Sequence, residues 1–186
     1  MNKKNNQRFQ ETERKLEEAF LTLCQDQTPE KVTVSQLCKA VGINRSTFYD
    51  HYLDIPDLIR KTGIKYMEDI GGLLNDENAP GTFPLTENNL VRLLEYMRTH
   101  QKFFRIYLNH TTEESVNSGL SALWKSVRDI CHTRLLEQDG GTDDETLKYI
   151  FWFYRAGFRA LLQRWLYHGC RETPQRIAEL LLDMLP

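Results

Sequence analysis

Residues 33–52, TVSQLCKAVGINRSTFYDHY, bring together side chains able to read a nucleic acid. Arg45 can present two parallel donors to the edge of a guanine. Thr33, Ser35, Asn44, Ser46, Thr47, Tyr49 and His51 offer hydroxyl, amide and ring groups of the kind that reach phosphate oxygens. These eight residues are the candidate DNA-binding set. Other chemistry is poorly supplied. The five histidines, His51, His100, His110, His132 and His168, form no HExxH or other metal-ligand spacing. Gly71-Gly72 and Gly140-Gly141 are isolated pairs rather than a phosphate loop. Cys24, Cys38, Cys131 and Cys170 contain no CxxC and are expected as buried free thiols, with a redox role open only for Cys170 beside Gly169. No catalytic constellation, metal site or cofactor is expected.

The candidate set needs two short helices and a tight turn to hold it. Thr33 stands three residues before Gln36, a capping box ahead of an apolar run. Val34, Leu37, Cys38 and Val41 share one helical face, and Gly42 follows where a chain leaving a helix turns left-handed. Asn44 is placed to cap a second helix. Phe48 and Tyr52, four apart, can face inward together, leaving a polar, cationic leading end for a major groove. Upstream, residues 1–10 are polar and expected to fray. Leu16, Ala19, Phe20 and Leu23 form a helical stripe to pack on the pair. Asp54 and Pro56 open a connector helix running to about Leu74, and 75–84, NDENAPGTFP, ends it.

Bulk properties allow this arrangement. The 186 residues carry 24 lysines and arginines against 26 acidic residues, a formal charge of −2. Residues 1–66 hold 11 of the former and 9 of the latter, a mild bias toward a DNA-facing first part. No apolar run could cross a membrane and the first residues form no secretory signal, so no membrane partner and a cytoplasmic location are expected.

Beyond residue 84 every apolar pattern is helical. Leu90, Leu93, Leu94 and Met97 follow a Thr86 start, and Phe103, Phe104, Tyr107 and Leu108 form an aromatic helix. A longer helix is expected over 113–138, broken by Asp139-Gly140-Gly141. Thr142 with Glu145 reads as a capping box for a helix ending near Gly169, and Thr173-Pro174 opens the last. Most aromatic residues of this body are core. A subset, Tyr66, Tyr96, Phe104, Tyr107, Trp124 and Phe151 with Arg128 and Arg155, could line an effector cavity inside a helical bundle. The arginines would meet an anionic effector or pair with surface carboxylates.

The last two helices carry two apolar stripes each. Trp152, Ala156 and Ala160 lie opposite the main stripe of one, and Ala178, Leu182 and Leu185 beside Ile177, Leu180, Leu181 and Met184 in the other. Two stripes require burial on two sides, either at the centre of a monomer or in a homodimer closed as a four-helix bundle.

The stretch from about Arg14 to Leu58 resembles the DNA-binding domain of the TetR/AcrR family of bacterial transcription regulators. The resemblance is carried by Thr33-Val34, Ala40-Val41-Gly42-Ile43 and Thr47-Phe48-Tyr49-Asp50-His51-Tyr52. Gly157, Trp165-Leu166, Gly169, Thr173-Pro174 and the leucines of 180–185 are similar to a subgroup that includes regulators of dihydroxyacetone metabolism. The resemblance implies an all-α fold with a three-helix helix-turn-helix domain over 8–54 and a helical effector and dimerisation domain over 55–186, about nine helices in all. It further implies a double-stranded DNA operator, a homodimer through the last two helices and a small-molecule effector held in the body. It places His51 near the DNA backbone. One departure stands out. Ile55 occupies a position where the family commonly carries a phosphate-contacting Lys, so one cationic contact per subunit is lost unless Lys61 or Arg8 replaces it.

Overall fold

The computed structural model describes residues 3–74, 85–110, 120–139 and 143–185. Among these the secondary structure is helical: nine α-helices, one 3-10 turn and no strand. The chain divides into two compact units, Met1–Lys65 and Tyr66–Pro186.

In the first unit α1 spans Lys3–Leu23, a 3-10 turn spans Pro29–Lys31, α2 spans Val34–Val41 and α3 spans Arg45–His51. Helix α4, Ile55–Leu74, begins here and runs on into the second unit's residues. The expected stripe of α1 is where burial falls, with Leu16 and Phe20 closed off against α2. The capping box forms as expected: Gln36 N–H donates to Thr33 Oγ1 at 3.2 Å, and Thr33 N–H donates to Gln36 Oε1 at 2.8 Å. Gly42 at φ +76° closes α2, a conformation only glycine adopts without cost. Leu37, Phe48, Tyr52 and Leu58 complete the core. The first residues differ from expectation. Helix α1 reaches back to Lys3, and Phe9 packs its ring against His51 with centroids 3.9 Å apart. The division into compact units falls inside α4. Leu58, Ile59 and Asp57, all buried, tie the first half of α4 to the N-terminal unit.

The second unit holds α5 (Glu87–Thr99), α6 (Gln101–His110), α7 (Ser121–Asp139), α8 (Asp144–Tyr167) and α9 (Pro174–Asp183). Thr86 caps α5 and Thr173 caps α9, each accepting from the backbone N–H three residues on. Helix α8 is capped by Asp143, whose carboxylate accepts from Glu145 and Thr146 N–H; the expected cap Thr142 lies outside the described residues. Residues 113–119 of the expected long helix and Gly140-Gly141 also lie outside them. Gly169 at φ +73° and Cys170 at φ +54° end α8.

Helix α9 packs most extensively on α5, with Ile177, Ala178 and Leu181 buried alongside Leu90, Leu93, Leu94 and Met97. This corrects one expectation. Ala178 is fully buried in the core of the protomer, which leaves it no free surface to offer a second chain.

Candidate nucleic-acid interface

Helix α3 is under two turns long and is held by one side only. Phe48 is fully buried and Tyr52 nearly so, with ring centroids 5.8 Å apart. The opposite face is left to solvent. Asn44, Arg45, Ser46 and Tyr49 are exposed and Thr47 is half-buried. Arg45 Nη2 reaches Tyr49 Oη at 3.4 Å, so the two side chains lie along one edge of the helix. Thr33 and Ser35, at the start of α2, are also exposed. Thr33 is already engaged with Gln36, which leaves its second lone pair for an outside donor rather than its proton for a phosphate, since Thr33 Oγ1 lies 3.0 Å from Gln36 Oε1. Seven of the eight expected DNA-facing residues are therefore accessible in this unit, and Arg45, Ser46 and Tyr49 sit on the free face of one helix.

His51 is the exception. It is only 6% exposed, stacked on Phe9, with Nδ1 3.7 Å from Glu13 Oε1, beyond hydrogen-bond reach. Its ring fills the space between α3 and α1, so a place on the DNA backbone does not suit it. Ile55 is also turned inward, at 9% exposure, and contributes to the core of the unit.

A polar cluster missed by sequence reading locks the turn from α3 to α4. The buried carboxylate of Asp57 accepts Leu53 N–H at 3.0 Å, bonds Arg60 and lies 3.2 Å from Lys61 Nζ. Asp54 Oδ1 in turn accepts Asp57 N–H at 2.7 Å. Burial pushes the Asp57 carboxyl up, but the Leu53 N–H, Arg60 and Lys61 outweigh it and hold the group below the usual aspartate value. Lys61 Nζ also donates to the His51 carbonyl at 2.8 Å and stands 5.5 Å from the centre of the Tyr52 ring. The available signal was the Asp57–Lys61 spacing of four at a helix start, with Arg60 alongside.

In the second unit the eight expected pocket residues separate into three groups. Phe104, Trp124 and Arg155 line an apolar void with Met67, Ile70, Phe158 and Arg159 among others. Its volume, about 20 Å³, admits one water molecule. Trp124 Nε1, buried, meets no acceptor among the described residues. Arg128 and Phe151 line a separate, wider cleft of about 530 Å³ with His132 and Lys148. Tyr66, Tyr96 and Tyr107 line neither. Tyr66 stacks on Phe103 at 4.4 Å, Tyr107 stacks on the same ring at 5.3 Å, and Tyr96 donates to Asp69 at 2.8 Å. Beside the void, Arg159 and Gln163 of α8 both donate to the Leu108 carbonyl near the end of α6, the latter at 2.9 Å.

The second stripe of α8 is bare in a single protomer. Trp152 is 62% and Phe153 73% exposed, and Tyr149, Ala156, Gly157, Ala160 and Tyr167 are exposed too. Leu182 of α9 and Leu185 just beyond its end are half-buried. Burial raises the Cys170 thiol above its ordinary value, with Arg98 opposing, so little thiolate forms at neutral pH and a redox role gains no support. No helix among the described residues is long and apolar enough to cross a membrane.

Residues 86–186, over half of the chain, match the family model described as "Transcriptional regulator C-terminal region". No curated protein matches the sequence significantly. Three similar solved structures show the same fold. A TetR transcriptional regulator from Streptococcus agalactiae 2603V has TM-score 0.63 and 19% identity, over 97% of each chain. The dihydroxyacetone kinase operon activator DhaS has TM-score 0.58 and 18% identity, over 94% of this chain and 93% of the other. FadR from Thermus thermophilus, a TetR-family repressor in complex with lauroyl-CoA, has TM-score 0.54 and 15% identity, over 93% and 92%.

Proposed function

Since the chain belongs to the TetR family of transcriptional regulators, we propose that it is a ligand-responsive repressor that binds a palindromic operator as a homodimer in the cytoplasm. The observation that carries the DNA-binding part is the free face of α3, where Arg45, Ser46 and Tyr49 stand exposed while Phe48 anchors the other side. A helix of this length with a cationic leading end fits a major groove, and two copies about a twofold axis read two half-sites.

The dimer reading is supported by the bare stripe of α8. Trp152, Ala156 and Ala160 on that stripe, with Leu182 of α9 and Leu185 just beyond it, make an apolar surface of the kind an isologous four-helix interface covers. The effector reading is supported by the void beside Trp124 and Arg155. An effector entering there must open it, since the closed form has room for no more than about one water. Such a ligand would lie beside Arg159, and drawing that guanidinium away would loosen the end of α6.

The test is binding to DNA enriched from a random-sequence pool, followed by competition with scrambled DNA. A preference for a palindromic site supports the reading, and equal affinity for both DNAs overturns it. A second reading is an interaction protein or co-activator that works mainly through a protein partner and binds DNA weakly. It is favoured by Ile55, which leaves the first turn of α4 without a cation. That reading predicts no enriched site at physiological salt.

A further inference from the structure

The ammonium of Lys61 is the meeting point of three groups at the turn from α3 to α4. Its Nζ donates to the His51 carbonyl at 2.8 Å, pairs with Asp57 Oδ2 at 3.2 Å and stands 5.5 Å from the centre of the Tyr52 ring. His51 is the last residue of α3, and the final carbonyls of a helix have no partner within it. A cation bonded there satisfies the carbonyl and complements the negative end of the helix dipole. The same ammonium is fixed from the other side by a carboxylate that is itself immobile. Asp57 is buried and bonded to Leu53 N–H and to Arg60, and its own N–H is held by Asp54. The result is a continuous polar bridge from the first turn of α4 to the last carbonyl of α3.

We propose that Lys61 is a positioning residue for the DNA-reading helix: its bridge from Asp57 to the His51 carbonyl sets the pitch of α3 against α4 and thereby the discrimination between DNA sequences. The inference rests on the DNA-binding reading above, and it assigns Lys61 a role other than holding phosphate. Of the three ammonium hydrogens, one faces the carbonyl and one the carboxylate, and the Asp57 charge offsets its own. A phosphate would have to compete with both. Helix α3 is otherwise anchored by the buried rings of Phe48, His51 and Tyr52, and the bridge adds a polar constraint at its far end.

The test compares Lys61→Met, Lys61→Arg and Asp57→Asn with the wild type on an enriched site and on scrambled DNA across a salt series. Positioning predicts that Lys61→Met lowers the cognate-to-scrambled ratio about tenfold while the slope of log affinity against log salt stays unchanged. Lys61→Arg, which can still donate to the carbonyl, keeps the ratio. Asp57→Asn behaves like Lys61→Met. A phosphate role predicts the opposite pattern: Lys61→Met weakens both DNAs alike, the slope shrinks by roughly 0.9 per contact, and Asp57→Asn tightens binding by removing a negative charge. That pattern, or an unchanged ratio, overturns the proposal. Amide hydrogen exchange in the DNA-free protein gives an independent reading. The Tyr52 N–H, bonded to Phe48 O at 2.9 Å, should exchange faster in Lys61→Met than in wild type; unchanged protection overturns the proposal. This second measurement decides the role of Lys61 even if the wild-type chain shows no sequence preference, an outcome that would sink the DNA-binding reading instead.

Discussion

Arg45 is the residue on which sequence discrimination is expected to turn. It is exposed at the first position of α3, and its guanidinium lies within reach of the Tyr49 hydroxyl. Arg45→Ala should cost about 1–3 kcal/mol on the cognate site and much less on scrambled DNA, as loss of a bidentate base contact does. Competition binding checks this, and equal losses on both DNAs would make Arg45 a phosphate contact. The residue types and their spacing made the exposure of this face legible, because the buried Phe48 leaves the polar leading end of α3 on the other side. His51 was not legible in the same way. Its fate depends on Phe9, a residue in a stretch whose polar composition suggested fraying, and contact between α1 and the end of α3 leaves no local trace in either segment.

At the scale of elements, most caps were legible because they are made by neighbours in sequence, although Asn44, expected to cap α3, makes no side-chain cap hydrogen bond. Thr33 with Gln36, Gly42, Thr86 and Thr173 each do what their spacing implies. The α3–α4 turn was not, since Asp57 and Lys61 look like an ordinary surface pair until the buried carboxylate and the His51 carbonyl are seen together. The depressed carboxyl of Asp57 makes a pH prediction. A group whose folded pKa lies below its unfolded value contributes stability that is present above the unfolded value, about 3.9, and is lost as the pH falls through the folded one. The N-terminal unit should therefore lose stability on acidification below about pH 4. Asp57→Asn should be less stable than wild type at pH 7, with the difference narrowing toward pH 2. Urea unfolding at a series of pH values tests it; a difference that stays constant across the series would mean that Asp57 gains nothing from its charge.

For the whole molecule, the all-helical architecture followed from periodicity alone, but the use of each stripe did not. The bare stripe of α8 and the buried Ala178 of α9 both read as second apolar faces. Only the packing of α9 on α5, far apart in the chain, assigns Ala178 to the interior. Ala160 remains exposed, so Ala160→Arg should leave the protomer folded, with an unchanged helical spectrum, while sedimentation shows monomers and operator binding is lost. The arginine would be left unpaired in an apolar contact on association. A variant that still sediments as a dimer places the interface elsewhere.

The bare aromatic face also ties this protein's behaviour to its abundance. If Trp152 and Phe153 are covered only when two copies meet, the paired form grows with the square of protomer concentration wherever most chains are single. A twofold rise in expression would then give roughly a fourfold rise in the two-headed species. Single chains, with those rings in water, would be the ones most exposed to chaperones and proteases, so scarcity would be reinforced by turnover. Through this one surface, copy number would become an input to the proposed switch.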